Sequence, residues 1–200
     1  MFITTDAIVL SLQPHSDKAH TLHLYTRASG RVNYKVYGIG RKNAIGMYNP
    51  LSLIQITGDD VSALQERGNK PPTLRSVQLC HVANNTFADP YKRTIALFIS
   101  EILYHTLRHP MPDEPMFDFL SESVRELEET AEPQNFHLQF LVGLAAQLGF
   151  GIPSQSDLLN LPHTRAGRQK QLRDLCAYFA EHVDTFEYPR SLDVLTEIFD

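Results

Sequence analysis

TLHLYTRASGRVNYKVY, residues 21–37, is the stretch on which the fold turns. From Thr21 to Thr26, Leu22 and Leu24 alternate with His23 and Tyr25. From Arg31 to Tyr37, Val32, Tyr34 and Val36 alternate with Arg31, Asn33, Lys35 and Tyr37. A period of two is that of a strand with one face buried. Ser29-Gly30, between the two runs, is a turn signal, so the stretch predicts a hairpin.

Outward from this hairpin, three further strands are predicted. Ile3 to Leu12 is rich in β-branched and apolar residues and stops at Pro14. Gly38 to Pro50 holds three glycines and reads as a loop. Leu51 to Thr57 reads as the fourth strand, closed by Gly58-Asp59-Asp60. A polar stretch ending in Pro71-Pro72 leads to the fifth, Leu74 to Val82. After Asp89-Pro90 the apolar period becomes that of a helix. Ile95, Leu97, Phe98, Ile99, Ile102, Leu103 and Leu107 form one broad stripe, ended by Pro110 and Pro112. Phe117, Leu120, Val124 and Leu127 predict a second helix, and Phe136 to Leu148 a third, stopped by Gly149, Gly151 and Pro153. Residues 154–167 read as loop, Gln169 to Val183 as a fourth helix and Ser191 to Phe199 as a short fifth. Strands followed by helices, without alternation, predict an α+β chain with an all-β module and then an all-α module. Five strands of this length fit the small, partly open OB-fold barrel.

Charge divides the chain the same way. Residues 1–86 carry nine Lys/Arg against five Asp/Glu, a balance of +4, and residues 87–200 carry nine against eighteen, a balance of −9. We therefore expect two domains, 1–86 and 87–200, with different tasks. Within the first, Lys18, Arg27, Arg31, Lys35, Arg41 and Lys42 face a single acid, Asp17, between His15 and Asn43. A local positive field on an acidic protein fits a polyanionic partner. Arg27 and Arg31 flank the turn, Arg31, Lys35 and Tyr37 share a strand face, and Arg41 and Lys42 sit among glycines that let backbone approach phosphate closely. Tyr25, Tyr34, Tyr37 and Tyr48 are candidate stacking faces.

Other chemistries find little in the sequence. No GxSxG, HExxH or GxxxxGK[ST] occurs, and Gly38-Ile39-Gly40 lacks the third glycine and the helix of a dinucleotide loop. His20 and His23 have opposite strand parity, so with His15 they make no metal site. Glu122, Glu126 and Glu129 read as a solvated helix face. Cys80 and Cys176 form neither a CxxC nor a disulfide framework, which suits a reducing cytoplasm. No run reaches a membrane span, and Met1 to Leu12 lacks the marks of a secretory signal. A binding protein without cofactor is expected rather than an enzyme.

Several pieces, in order, resemble one family. Thr5-Asp6-Ala7-Ile8-Val9-Leu10, Ser16-Asp17, Leu24-Tyr25-Thr26 with Gly30-Arg31, and Gly38 with Arg41-Lys42 are similar to the N-terminus of the bacterial recombination mediator RecO. Ala96 to Leu103 with Glu101, Met116-Phe117, Phe136 to Phe150, and Ser191-Leu192 with Leu195 are similar to its later helices. The resemblance implies an N-terminal OB-fold and a helical domain. It implies binding of single- and double-stranded DNA, annealing of complementary strands, and assistance to RecA on DNA coated by single-strand binding protein, within the cytoplasm and at the nucleoid. It implies two protein partners, RecR and the short, acidic, apolar-ended tail of the single-strand binding protein. The DNA-binding residues expected are Lys18, Arg27, Arg31, Lys35, Tyr37, Arg41 and Lys42. For the tail, an apolar pocket between helices with a rim cation is expected, drawn from Lys92, Arg93, Arg108, Arg125, Lys170 and Arg173. Many members carry a four-cysteine zinc module after the third helix. Residues 151–190 hold only Cys176, so no zinc is expected. The alternative reading is an OB-fold and helical adaptor that binds proteins and not DNA.

Overall fold

Five strands carry the first part of the chain in a computed structural model that describes residues 2–16, 19–37, 46–61, 72–81 and 83–198. They are β1 (Phe2–Ser16), β2 (Ala19–Thr26), β3 (Gly30–Tyr37), β4 (Leu53–Asp59) and β5 (Leu74–Leu79), joined antiparallel in the order β3-β2-β1-β4-β5. An isolated parallel bridge between Lys35 and Thr73 brings the free edge of β3 to the start of β5 and curls the sheet towards closure. This is the partly open, five-stranded arrangement of the OB-fold.

Strand parity builds its core. Ala7 and Val9, Leu22 and Leu24, Val32, Tyr34 and Val36, and Ile54 and Ile56 form one buried cluster. Burying one such aliphatic side chain contributes about 1.5–3 kcal/mol. Gly58 lies against this cluster, because a Cβ there would stand 2.9 Å from the Tyr34 ring. The Tyr34 hydroxyl donates to the Asp59 carbonyl at 3.2 Å.

Several boundaries differ from expectation for local reasons. β1 runs past Pro14 to Ser16, with its pairing to β2 interrupted between those residues, which accommodates a residue without an N–H. β4 begins at Leu53 rather than Leu51, since Leu51 has φ +63° and cannot extend a strand. It continues through Gly58 and Asp59, read above as a turn, which pair with Ile3 and Phe2. β5 ends at Leu79, short of the expected Val82. The expected loop between Gly38 and Pro50 falls outside the described residues from 38 to 45, as does the polar stretch from 62 to 71.

The helices are α1 (Asn84–Ala88), α2 (Pro90–Thr106), α3 (Glu114–Glu129), α4 (Phe136–Gln147), α5 (Arg165–His182) and α6 (Ser191–Ile198). α1 was not legible as a helix. α2 starts at Pro90, a residue suited to the first helical turn. α5 starts four residues before the expected Gln169, because the Thr164 hydroxyl accepts from the Gly167 N–H at 3.1 Å and caps it. Among the described residues no helix is long and apolar enough to cross a membrane.

The chain divides into two compact units, Met1–Ala83 with Leu107–Val124, and Asn84–Thr106 with Arg125–Asp200. In the first, residues 107–113 pass along the β2–β3 turn. Gly30 has φ +61°, and a Cβ there would collide with the Met111 backbone, so glycine is required twice over. The Arg31 N–H donates to the His109 carbonyl at 3.2 Å. In the second, Ile95, Phe98, Ile102, Leu138, Leu144, Leu175, Cys176 and Phe179 are fully buried. Two carboxylates, the half-buried Glu101 and the buried Glu128, organise its ends. Glu101 accepts from the Arg190 and Ser191 N–H groups, each at 3.0 Å, and so caps α6. Glu128 accepts from the Asn85 and Thr86 N–H groups, each at 2.7 Å, and so caps α1.

Candidate nucleic-acid interface

The outward face of β3 carries Arg31, Asn33, Lys35 and Tyr37, as its alternation predicts. Tyr37 is 68% exposed, the most open aromatic of the sheet, and the Lys35 ammonium lies 5.8 Å from its ring centroid. Arg31 is half-buried. Its guanidinium reaches Asn33 Oδ1 at 3.3 Å and the Leu107 carbonyl at 3.5 Å, and stands 3.3 Å from His23 Nδ1. His23 is itself buried beside Asn33, at 2.7 Å, and burial holds its pKa below the ordinary value. The adjacent Arg31 charge acts in the same direction.

Arg27 stands at the turn before β3 and is engaged. Its Nη2 is 2.6 Å from Asp118 Oδ1, its Nη1 is 3.8 Å from Glu114 Oε1, and its guanidinium covers the Phe117 ring at 4.4 Å. Lys18, Arg41 and Lys42 lie outside the described residues.

Three of the four candidate stacking tyrosines turn inward. Tyr25 is buried and stacked on Phe117 at 6.4 Å, and burial pushes its hydroxyl pKa up to about 12. Tyr34 lies in the sheet core, where burial likewise pushes its hydroxyl up to about 12. Tyr48 packs against the same core. β2 is thus buried on both faces, which alternation of Leu with His and Tyr does not announce.

Sequence reasoning missed a third cation–aromatic pair. Arg75 on β5 lies over the Phe2 ring at 3.5 Å from its centroid, with both residues exposed.

In the helical unit, α5 and α6 border a shallow cleft lined by His137, Arg165, Arg168, Gln169, Leu172, Leu195 and Thr196. Leu172 and Leu195 give it an apolar floor. Arg165 Nη2 and Gln169 Nε2 both donate to the Thr196 carbonyl, at 3.2 and 2.9 Å. Arg168 Nε is buried with no hydrogen-bond partner among the described residues. Beneath them His137 is fully buried, and burial, with the Arg168 charge, pushes its pKa down to about 3. Two cations in the first turn of α5 oppose its dipole, so an anion is favoured there.

The tail-binding cations expected from sequence are dispersed. Lys92 is buried and its Nζ donates to the Glu128 carbonyl at 2.7 Å, so it is no rim cation. Arg93, Arg108, Arg125, Lys170 and Arg173 are exposed. None of these lines the cleft; the cleft's arginines sit in the first turn of α5, which the Thr164 cap adds ahead of the apolar stripe that predicts the helix. The zinc module's donor set does not fit this chain. Among the described residues no cluster of His, Cys, Asp or Glu could hold a metal, and burial pushes the Cys176 thiol up to about 12.

This fold defines a class: an α+β protein with an OB-type sheet followed by helices. Comparison with known proteins narrows it. Residues 88–160 match the family described as Recombination protein O C terminal. Over its whole length the chain is similar to proteins named DNA repair protein RecO. That of Porphyromonas gingivalis is 28% identical over 250 positions, with 100% of both chains covered. That of Flavobacterium johnsoniae is 26% identical over 242 positions, and that of Phocaeicola vulgatus 27% over 247, again with 100% of each chain covered. The similarity to these proteins spans the chain from end to end. Its 200 residues are fewer than the positions of these alignments, so the relatives carry stretches that it lacks.

Proposed function

We propose that this chain is a DNA repair and recombination protein of the RecO kind, acting by binding and not by catalysis. Its sheet unit holds the DNA phosphate backbone without reading sequence. The observation that carries this reading is the outward face of β3, where Arg31, Lys35 and Tyr37 place charge and an open ring on an OB-type sheet. Lys18, Arg41 and Lys42 add to the positive charge of this part of the sequence, and Arg27 joins it when its acidic partners yield to phosphate. The division of labour follows charge, with residues 1–86 for DNA and 87–200 for partners. The partners are RecR and the acidic tail of single-strand binding protein, and the outcome is annealing of strands and loading of RecA, in the cytoplasm at the nucleoid. The chain works without zinc, and metal analysis after mild chelation tests that: stoichiometric, resistant zinc overturns it.

The tail's place is the α5–α6 cleft. Its apolar floor suits the terminal apolar residue, and the buried Arg168 Nε suits the terminal carboxylate.

The central test is titration of fluorescent single- and double-stranded oligonucleotides at two salt concentrations. Contacts to about four to six phosphates give a log–log slope of roughly −3 to −4 on single strands. Affinity independent of salt would overturn the reading in favour of a protein-binding adaptor. The engagement of Arg27 by Asp118 and Glu114 is the observation that favours that adaptor.

A further inference from the structure

Arg75 is the extra residue of a β-bulge. Thr57 pairs with Ser76 and Gly58 with Leu74, so nothing on β4 opposes Arg75. A bulge redirects its side chain, and here the guanidinium carbon stands 3.5 Å from the centroid of the Phe2 ring. Phe2 faces outward with Thr4, whose hydroxyl meets that of Thr57 at 2.9 Å. An exposed phenylalanine topped by an exposed arginine leaves one guanidinium face open to solvent.

The second pair, Lys35 with Tyr37, lies just across the closing seam. Lys35 bridges Thr73, two residues before Arg75. The seam between β3 and β5 therefore joins two cation–aromatic pairs on one outer surface. The nearby Asp59 carboxylate is buried and accepts from the Thr73 N–H at 2.9 Å. The immediate neighbours, Thr4, Thr57 and Ser76, are small and polar.

We propose that this seam is a stacking site for unpaired bases, with one base on the open face of Arg75 and another on Tyr37. This rests on the DNA-binding reading above and adds to it a preference for single strands. A planar guanidinium continues an aromatic stack, whereas an ammonium does not. Duplex bases are already stacked and paired, so only a single strand can offer them to exposed rings. Lys35 and the rest of the β3 face guide the phosphates, and Arg75, Phe2 and Tyr37 take the bases.

The test uses the whole chain and three fluorescent probes: oligo(dT) of about sixteen nucleotides, an abasic strand of equal length, and the duplex. Wild-type protein should bind oligo(dT) roughly tenfold more tightly than the abasic strand, as stacking of one or two bases would give. Arg75→Lys with Phe2→Leu keeps the charge and removes the planar stack beside β5. It should reduce that preference severalfold while leaving abasic and duplex affinity within about twofold, and adding Tyr37→Leu should remove what remains of the preference. Equal affinity of the wild type for oligo(dT) and the abasic strand, or equal losses on both in the variant, overturns the stacking site but leaves backbone binding standing. Absence of binding to all three probes at low salt overturns the DNA-binding reading itself.

Discussion

Arg27 Nη2 and Asp118 Oδ1 stand 2.6 Å apart, joining the hairpin turn to α3 within one compact unit. Both side chains keep solvent contact, and an exposed pair of this kind contributes only about 0–1 kcal/mol. A phosphate can therefore displace the carboxylate at little cost. Asp118→Asn with Glu114→Gln releases Arg27, and single-strand affinity should rise about twofold to threefold while the salt slope steepens by about 0.7. Thermal stability should fall by less than about 1 kcal/mol. Unchanged affinity and slope would remove Arg27 from the DNA surface.

The strands of the sheet were legible because alternation and Gly30 are local signals. What escaped was set by contacts from afar. Gly58 looks like a turn until the Tyr34 ring packs upon it. Tyr25 looks like an open ring until Phe117 covers it. Lys92 looks like a surface charge until the Glu128 carbonyl takes its ammonium. Of the DNA-binding candidates, Arg31, Lys35 and Tyr37 share a face because parity dictates it, whereas the pairing of Arg75 with Phe2 depends on a bulge that no sequence period reveals.

Acid should destabilise the helical unit in two separate windows. His137 has a folded-state pKa pushed down by burial to about 3, below its ordinary 6.5. The unfolded chain therefore binds the proton first. Stability is full above about pH 6.5 and declines as pH falls, by about 2 kcal/mol at pH 5. For Glu101 and Glu128, burial alone would raise the pKa, but the N–H groups they cap outweigh it and hold both below 4.5. Their contribution is present above that value and is lost only as pH falls further. Thermal melts from neutral pH to about pH 5 should be distinctly flatter for His137→Gln than for wild type. Parallel profiles would show that His137 does not govern this window.

Lys92→Met tests whether that lysine is structural. Its ammonium ends on a buried carbonyl and lies near the Glu128 carboxylate that caps α1. Methionine fills the channel but donates nothing, leaving the carbonyl without its hydrogen bond. Urea unfolding should show a loss of about 1–3 kcal/mol. Arg93→Met, one residue on and exposed, should cost less than about 0.5 kcal/mol. Equal effects would mean that Lys92 is not held as described.

The last prediction concerns the α5–α6 cleft and the tail of single-strand binding protein. A terminal carboxylate needs a donor already stripped of water, and Arg168 Nε is buried without a partner among the described residues. The adjacent Leu172 and Leu195 offer contact to an apolar final residue, and Arg165 adds charge at the rim. Arg93, Arg108, Lys170 and Arg173 are exposed and outside this lining, so each should matter less. Calorimetric titration of the whole chain with a peptide copying the tail should show binding that weakens by about 1.5–3 kcal/mol when the peptide's terminus is amidated, the scale of a charge-assisted hydrogen bond. Arg168→Gln should cause a similar loss and should make amidation almost without further effect, because both changes remove the same contact. Lys170→Gln with Arg173→Gln should leave the amidation effect intact. If amidation changes nothing, the terminal carboxylate makes no such contact and the placement fails; if its effect survives Arg168→Gln and vanishes in the Lys170 and Arg173 variant, the carboxylate is held on the exposed face of α5 and not in the cleft.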